Sequence, residues 1–346
     1  MAFPARHRLR ARREDRPRVP RPQGRDGRER PAAASPQAQA AQEVSGKSTR
    51  EKVDGWVILD KPVGPSSTQA LGRVKRVFNA AKGGHAGTLD PLASGVLPIA
   101  LGEATKTLAH FADGTKEYEF TVRWGIATAS DDAEGAVTAT SDARPTQGSL
   151  AAALPAFTGE IDQTPPVYSA IKIDGERAYA RARAGEDVAM KSRKVLIHKL
   201  ELLEMPSPDE ARLRLSCGSG TYVRSLARDL AVALGTVGHV TMLRRTAVGR
   251  FRIESAISLE KLEGFGHSPA RFGALAPVET VLDDIPALAL TAEEAAALRQ
   301  GRVLRDPRAE HSPPEPGTLA VFTDGKLVAL AEGGDGFLRP ARVFNL

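Results

Sequence analysis

Between Gly84 and Pro98 the chain reads Gly-His-Ala-Gly-Thr-Leu-Asp-Pro-Leu-Ala-Ser-Gly-Val-Leu-Pro. Glycine and proline at this density predict a loop rather than a helix or a strand. The only acid in the stretch is Asp90, set between Leu89 and Pro91. Burying an acid among apolar neighbours is costly unless a cation pairs with it. Pro91 fixes its own φ and biases Asp90 toward extended backbone. A carboxylate aimed by a stiff backbone is how a catalytic acid is presented. The competing reading is an ordinary Asp-Pro surface turn.

Regular elements bracket this stretch. Trp56 to Leu59 predicts a buried strand and residues 60–65 a turn. A helix capped by Ser66 or Ser67 follows to Phe78, with Ala70, Leu71, Val74, Val77 and Phe78 on one face. Arg73, Lys75 and Arg76 lie off that stripe and read as a solvated face. A short strand is expected over 96–101 and a helix over 104–111. Lys116 to Trp124 alternates, which predicts a half-buried strand with Tyr118, Phe120, Val122 and Trp124 on one face. Asp131 to Gly135 is an acidic turn. A short helix is expected over 150–156, a small basic helix over 177–184, and strands over 195–205 and 211–217. The next helix, over 221–234, carries Arg224 in its first turn, where a cation opposes the helix dipole. That placement asks for a specific anionic partner.

Charge locates little by itself. The chain holds 48 Lys+Arg and 42 Asp+Glu, a net +6. Residues 1–50 hold 13 and 5 of these, or +8, which leaves 35 and 37, or −2, for the rest. The first 50 residues are rich in Arg, Pro, Ala and Gln. They are too poor in large apolar residues to offset ordering entropy, so they read as a disordered extension. The body's densest cations are Arg177, Arg181 and Arg183, followed by Lys191, Arg193 and Lys194. A single cysteine, Cys217, excludes an intrachain disulfide and points to a reducing, cytoplasmic setting. No apolar run approaches the length of a membrane span. The histidines are scattered and no nucleotide-binding fingerprint is present, so neither a metal nor another cofactor is expected.

The run Gly84 to Lys106, GHAGTLDPLASGVLPIALGEATK, resembles the catalytic signature of the pseudouridine synthases, in particular the bacterial tRNA pseudouridine synthase B family. The likeness extends from about Gly55 to about Ile253, with a weaker tail beyond. It implies an α+β fold: a mixed, mainly antiparallel sheet flanked by helices, with a small C-terminal PUA-like RNA-binding module. The expected division is an extension at 1–50, a catalytic domain at 51–250, a connecting segment at 251–284 and the C-terminal module at 285–346. In that module a capping box at Thr291 to Glu294 opens a helix ending at Gly301. Residues 319–322 and 326–331 form a hairpin about Asp324-Gly325.

The resemblance also assigns roles. It makes Asp90 the catalytic residue, Tyr118 the residue stacked on the target base, and Arg224 the partner of Asp90. It places His85, Lys61, Lys172, Tyr222 and Leu243 at the substrate, with His85 filling the place the flipped base leaves and Lys61 supporting the loop. The acidic turn at 131–135 is expected to face away from RNA, and Arg244 and Arg245 are read either as phosphate contacts or as solvated cations. The implied reaction is isomerisation of uridine 55 in the T arm stem-loop of tRNA by a monomer. Positive charge develops on the sugar as uracil leaves. Asp90 could attack C1′ or take the C2′ proton to give a glycal, and the sequence does not choose. Tyr118 is the best-placed group to accept the C5 proton. Two rivals remain at this level: an RNA-guided pseudouridine synthase subunit, and a non-catalytic tRNA-binding or folding module.

Overall fold

The structure is a computed structural model that describes residues 50–346 apart from 112–113, 170, 174–175, 179–180, 182–185, 187 and 311–314. The side chains at 110, 172–173, 177 and 310 are likewise outside the description. The basic extension over 1–49 therefore lies outside the described residues.

Ten strands make the main sheet. They are β1 (Gly55–Lys61), β2 (Gly83–His85), β3 (Ala93–Leu101), β4 (Lys116–Trp124), β5 (Gly159–Gln163), β6 (Arg193–Ser207), β7 (Glu210–Cys217), β8 (Gly238–Val248), β9 (Phe251–Arg252) and β10 (Ile257–Ser258). Their order is β10-β1-β3-β8-β4-β7-β6-β5, with β2 beside β3 and β9 beside β8. All pairings are antiparallel except β1 with β10 and β3 with β8. The mixed, mainly antiparallel sheet expected from the sequence is present, and β4 has the predicted bounds. Because β9 and β10 join this sheet, the segment after 250 contributes to it rather than merely connecting.

Both faces of the sheet are covered, which explains why the runs 56–59 of β1 and 96–101 of β3 are apolar without alternation. On one face Val57, Leu59, Leu97, Ile99, Phe120 and Val122 pack with two helices, α1 (Ser67–Val77) and α2 (Val223–Ala233). On the other face Trp56, Ile58, Val96, Phe111 and Phe251 share one apolar cluster with Ala320, Leu327, Leu330 and Phe344. Of these, Ala320, Leu327 and Leu330 belong to, and Phe344 directly follows, a five-stranded sheet, order β11-β13-β14-β15-β12, made of β11 (Ala287–Ala289), β12 (Leu304–Arg305), β13 (Gly317–Thr323), β14 (Lys326–Gly334) and β15 (Phe337–Val343). Its helix, α3 (Ala292–Arg299), opens with the expected Thr291–Glu294 capping box.

Several local expectations need correction. The Gly84–Pro98 stretch is a loop only over 86–92, because its two ends are strands β2 and β3. Glycine is needed in β3 for packing: Gly95 sits at φ +102° and a Cβ there would overlap the Arg245 carbonyl. The helix expected over 104–111 is a 3-10 turn at Gly102–Thr107 and only then α-helical. Residues 147–153 are helical and 154–157 are 3-10, with Pro155 inside the tighter turn. Arg177 closes a two-residue strand, and most of the basic helix expected over 177–184 lies outside the described residues. Arg73 is not freely solvated, since its guanidinium forms a bidentate pair with Glu263.

Candidate active site

The catalytic loop is held from behind by the start of α1. The Ser67 hydroxyl is buried, donates to the Leu89 carbonyl at 2.9 Å and accepts from the Leu89 amide at 2.8 Å. Gly64 donates to the Pro91 carbonyl at 2.9 Å. The two residues flanking Asp90, Leu89 and Pro91, are thus clamped to one rigid corner. That corner exists because Ser66, not Ser67, caps α1 with a full capping box, leaving Ser67 free to reach the loop.

Lys61 shapes the same corner. It is fully buried, and its Nζ donates to the carbonyls of Pro62 and Pro65 at 2.8 and 2.7 Å. Burial pushes its amine down to about 8, with the nearby Asp90 charge opposing that shift. An unfolded lysine titrates near 10.5, so between these values the unfolded chain binds more protons. Stability from this group is therefore lowest below pH 8 and rises toward pH 10.5. The full span corresponds to at most about 3 kcal/mol. Lys61→Met should remove this rise. Urea unfolding of both proteins from pH 7.5 to 10.5 checks it; a constant difference between them across that range would contradict the depressed amine.

Opposite the loop, Arg224 projects from the first turn of α2 and is 3% exposed. Its Nη2 lies 2.9 Å from Asp90 Oδ2 and donates to the Tyr168 carbonyl at 2.9 Å. Its Nη1 donates to the Ser130 carbonyl at 2.7 Å and lies 3.5 Å from Asp132 Oδ2. The anionic partner demanded by a cation at a helix N-terminus is therefore Asp90, with buried Asp132 as a second. The acidic turn, expected to face away from RNA, supplies this second carboxylate. The start of α2 has no side-chain cap. Instead, the buried Gln163 carboxamide accepts from the Tyr222 amide at 2.7 Å and donates to the Tyr222 carbonyl at 3.1 Å.

Tyr118 completes the arrangement from β4. Strand register sets it across from Arg245 of β8 and Phe120 across from Leu243. Arg245 is 1% exposed, donating to the Val96 and Gly87 carbonyls at 2.8 and 3.0 Å. It is therefore a strut between the sheet and the loop, neither a phosphate contact nor a solvated cation. Arg244 instead pairs with Asp60 at 2.9 Å. Burial pushes the Tyr118 phenol up, while the adjacent Arg245 charge and hydrogen bond pull the other way. The phenol is thus protonated at neutral pH, with a cation beside it that favours the phenolate when the proton moves.

These residues enclose a cleft of about 270 Å³. Asp90, Tyr118, Tyr222, Arg224 and Leu243 all line it, as does Arg245. Lys61 is buried behind the loop rather than in the cleft. His85 is half-buried on β2 and is also outside the lining; burial, then the Arg245 charge, keep its imidazole below the usual range. Lys172 begins a two-residue strand, and its side chain lies outside the described residues. Among the described residues no group of side chains has the composition of a metal site. Asp132, Gln163, Ser67 and Arg245 were not found by sequence reasoning. Only the pairing of strands and the approach of distant loops brings Arg245 to the cleft and sets Ser67, Asp132 and Gln163 behind its loop, its ion pair and its helix start.

A carboxylate one-third exposed in a cleft, aimed by a clamped loop and paired with a buried guanidinium beside an aromatic ring, can stabilise or attack a sugar from which a base departs. Comparison with known proteins agrees. The family models described as TruB family pseudouridylate synthase (N terminal domain), tRNA pseudouridylate synthase B C-terminal domain and tRNA Pseudouridine synthase II, C terminal match residues 75–223, 224–283 and 285–345. The chain is 53% identical to tRNA pseudouridine synthase B of Caulobacter vibrioides, covering 86% of this chain and 97% of that one. With the Bradyrhizobium diazoefficiens protein of the same name the identity is 54%, covering 86% and 87%. Among solved structures, a chain in a Cbf5-Nop10-Gar1 complex aligns with a TM-score of 0.61 at 27% identity, over 81% of this chain and 78% of that one. A chain in an H/ACA RNP bound to a substrate RNA containing 2′-deoxyuridine aligns at 0.63 and 25%, over 84% and 85%. A matched signature, a matched fold and near-complete coverage lead to one conclusion: the chain belongs to the TruB family of tRNA pseudouridine synthases.

Proposed function

We propose that this protein converts uridine 55 in the T arm of tRNA to pseudouridine, acting as a monomer in the cytoplasm with no cofactor. The observation that carries the reading is the Asp90–Arg224 pair at 2.9 Å, open to a cleft beside Tyr118. The flipped uridine enters the cleft and stacks on Tyr118, a contact worth roughly 1–3 kcal/mol on the alanine-substitution scale. Ionised Asp90 meets the charge that develops at C1′ as uracil leaves, by attack at that carbon or by removal of the C2′ proton. Uracil turns and C5 bonds to C1′; Tyr118, having first given up its own proton to a phenolate that Arg245 stabilises, takes the C5 proton, and N1 takes up a proton in its place. Tyr222 and Leu243 bound the base, Lys61 and His85 support the loop and the vacated stack, and Lys172 approaches the substrate. Residues 51–250 form the catalytic domain and 285–346 the RNA-binding module, with the segment between lending two strands. The basic extension adds sequence-independent RNA affinity.

An RNA-guided subunit is the second reading. It is disfavoured because the chains from the Cbf5-Nop10-Gar1 complex and the H/ACA RNP share 27% and 25% identity, against 53% and 54% for the proteins named tRNA pseudouridine synthase B. Purified protein alone, given an unmodified tRNA transcript, should form pseudouridine at position 55. No product without added protein or guide RNA would overturn the reading. Tyr118→Phe keeps the ring and loses the hydroxyl. It should bind tRNA normally yet lose about 10²–10⁴-fold in product formation; full turnover, read by tritium release from C5, would refute the proton-accepting role.

A further inference from the structure

We propose that the Ser169 hydroxyl hydrogen-bonds the carbonyl edge of the flipped uracil and so holds the base in place through the reaction; the proposal rests on the pseudouridine synthase reading above. Ser169 lines the cleft, is 4% exposed, and its Oγ has no hydrogen-bond partner among the described residues. A hydroxyl shut away from water is costly to leave unpaired, so it is kept where a ligand completes it.

Its backbone is not loose. The Ser169 amide donates to the Val167 carbonyl at 2.9 Å, and the preceding Tyr168 carbonyl takes Arg224 at 2.9 Å. Upstream, the Thr164 carbonyl takes Ser225 Oγ at 2.8 Å and Arg228 at 2.9 Å. The segment is therefore tied to the first turns of α2, and Ser169 is fixed relative to the Asp90–Arg224 pair. Among the described residues lining the cleft, the buried side-chain polar atoms without a partner are Ser169 Oγ and Arg224 Nε, and of these only the hydroxyl can both donate and accept. Arg224 serves two carboxylates and two carbonyls, and Arg245 holds two carbonyls. Val223 and Leu243 contribute buried apolar wall.

A serine hydroxyl suits this reaction because it can donate or accept and turns freely. Uracil presents O2, N3–H and O4 along one edge, an acceptor–donor–acceptor pattern. Turning the detached base about its N3–C6 axis exchanges N1 with C5 and O2 with O4. A group reading that edge meets the same pattern before and after the turn. Ser169 can thus hold the base at both stages without moving.

The test uses the full-length protein and T-arm stem-loops carrying uridine, 2-thiouridine, 4-thiouridine or 2′-deoxyuridine at the target. Sulfur accepts hydrogen bonds poorly. On uridine, Ser169→Ala should slow single-turnover product formation by about 10-fold, with stem-loop affinity and thermal midpoint unchanged. On one of the two thio substrates that penalty should shrink to less than about 2-fold, as in any cycle where the partner is already lost. On 2′-deoxyuridine it should persist. Ser169→Cys, close in size but a weak hydrogen-bonder, carries the same comparison if alanine disturbs the segment. Equal rates for wild type and variant, an unchanged penalty on both thio substrates, or a penalty abolished by 2′-deoxyuridine would overturn the proposal. The last result would assign the hydroxyl to the ribose. Absence of wild-type product on uridine would overturn the functional reading itself, and this proposal with it.

Discussion

Asp90→Asn should bind tRNA about as tightly as the wild type and form no detectable pseudouridine, a loss of more than roughly 10⁴-fold. Affinity in such complexes comes from phosphate contacts and stacking spread over many residues. On the proposed mechanism Asp90 meets only the reacting sugar, so its loss should act on the transition state and not on the complex. The loop itself should survive, because its clamps are Ser67 to the Leu89 backbone and Gly64 to the Pro91 carbonyl, neither of which involves the carboxylate. Asparagine keeps the size and can still accept from Arg224 while lacking the anion. Filter binding beside tritium release from 5-tritiated uridine decides the matter. Binding and activity lost together would make Asp90 a structural brace. Near wild-type tritium release would refute the mechanism.

Arg224→Lys should be the second severe lesion, at about 10²–10³-fold in turnover, although charge is conserved. One planar fork meets Asp90, Asp132 and two carbonyls from opposite sides. An ammonium is a point charge on a flexible stem and cannot hold four acceptors in that geometry. Arg224→Met goes further, leaving Asp132, 3% exposed, without its cation. Breaking a buried pair from one side costs about 3–5 kcal/mol. The two substitutions should therefore separate: lysine mainly in rate, methionine in both rate and denaturant midpoint. If methionine left the midpoint unchanged, the Asp132 contact would carry no stability.

The residues that were legible in the sequence are those that a local pattern exposes. Asp90 stood out because an acid among Leu89, Pro91 and Leu92 breaks the expected polarity of a loop. Arg224 stood out because it opposes a helix dipole. Tyr118 followed from strand alternation and the family signature. What stayed hidden depends on partners far away in the chain. Asp132 looked like any residue of an acidic turn until Arg224 arrived from 92 positions later, within 3.5 Å. Arg245 looked like half of a solvated Arg-Arg pair. Its burial is decided by β8 lying between β3 and β4, a pairing that no alternation within β8 reveals. The two-residue strand β10 is too short to leave a periodic signal, and its pairing with β1 is parallel. The 3-10 turn over Gly102–Thr107 carries a helical composition, and the way the chain leaves β3 there sets its tighter winding.

The cluster behind the main sheet has a consequence for timing. Phe344 is 1% exposed and shares that cluster with Trp56, Phe111 and Phe251. Around it, the Asn345 amide donates to Glu103, and Lys106 donates to the Val343 carbonyl at 2.7 Å. During synthesis Trp56 leaves the ribosome almost three hundred residues before Phe344, the last member of its cluster, although Phe111 and Phe251, whose rings pack against it, come sooner. Translation at about 5–20 residues per second makes that an interval of some tens of seconds. Until the five-stranded sheet arrives, the part of the rear face that packs with Ala320, Leu327, Leu330 and Phe344 is an open apolar surface. The helical face can close earlier, because α1 and α2 both precede residue 234. The nascent protein is therefore half-roofed: its active cleft can take shape while its back is still sticky. The enzyme becomes secure against aggregation only when its last strand and the phenylalanine beyond it arrive.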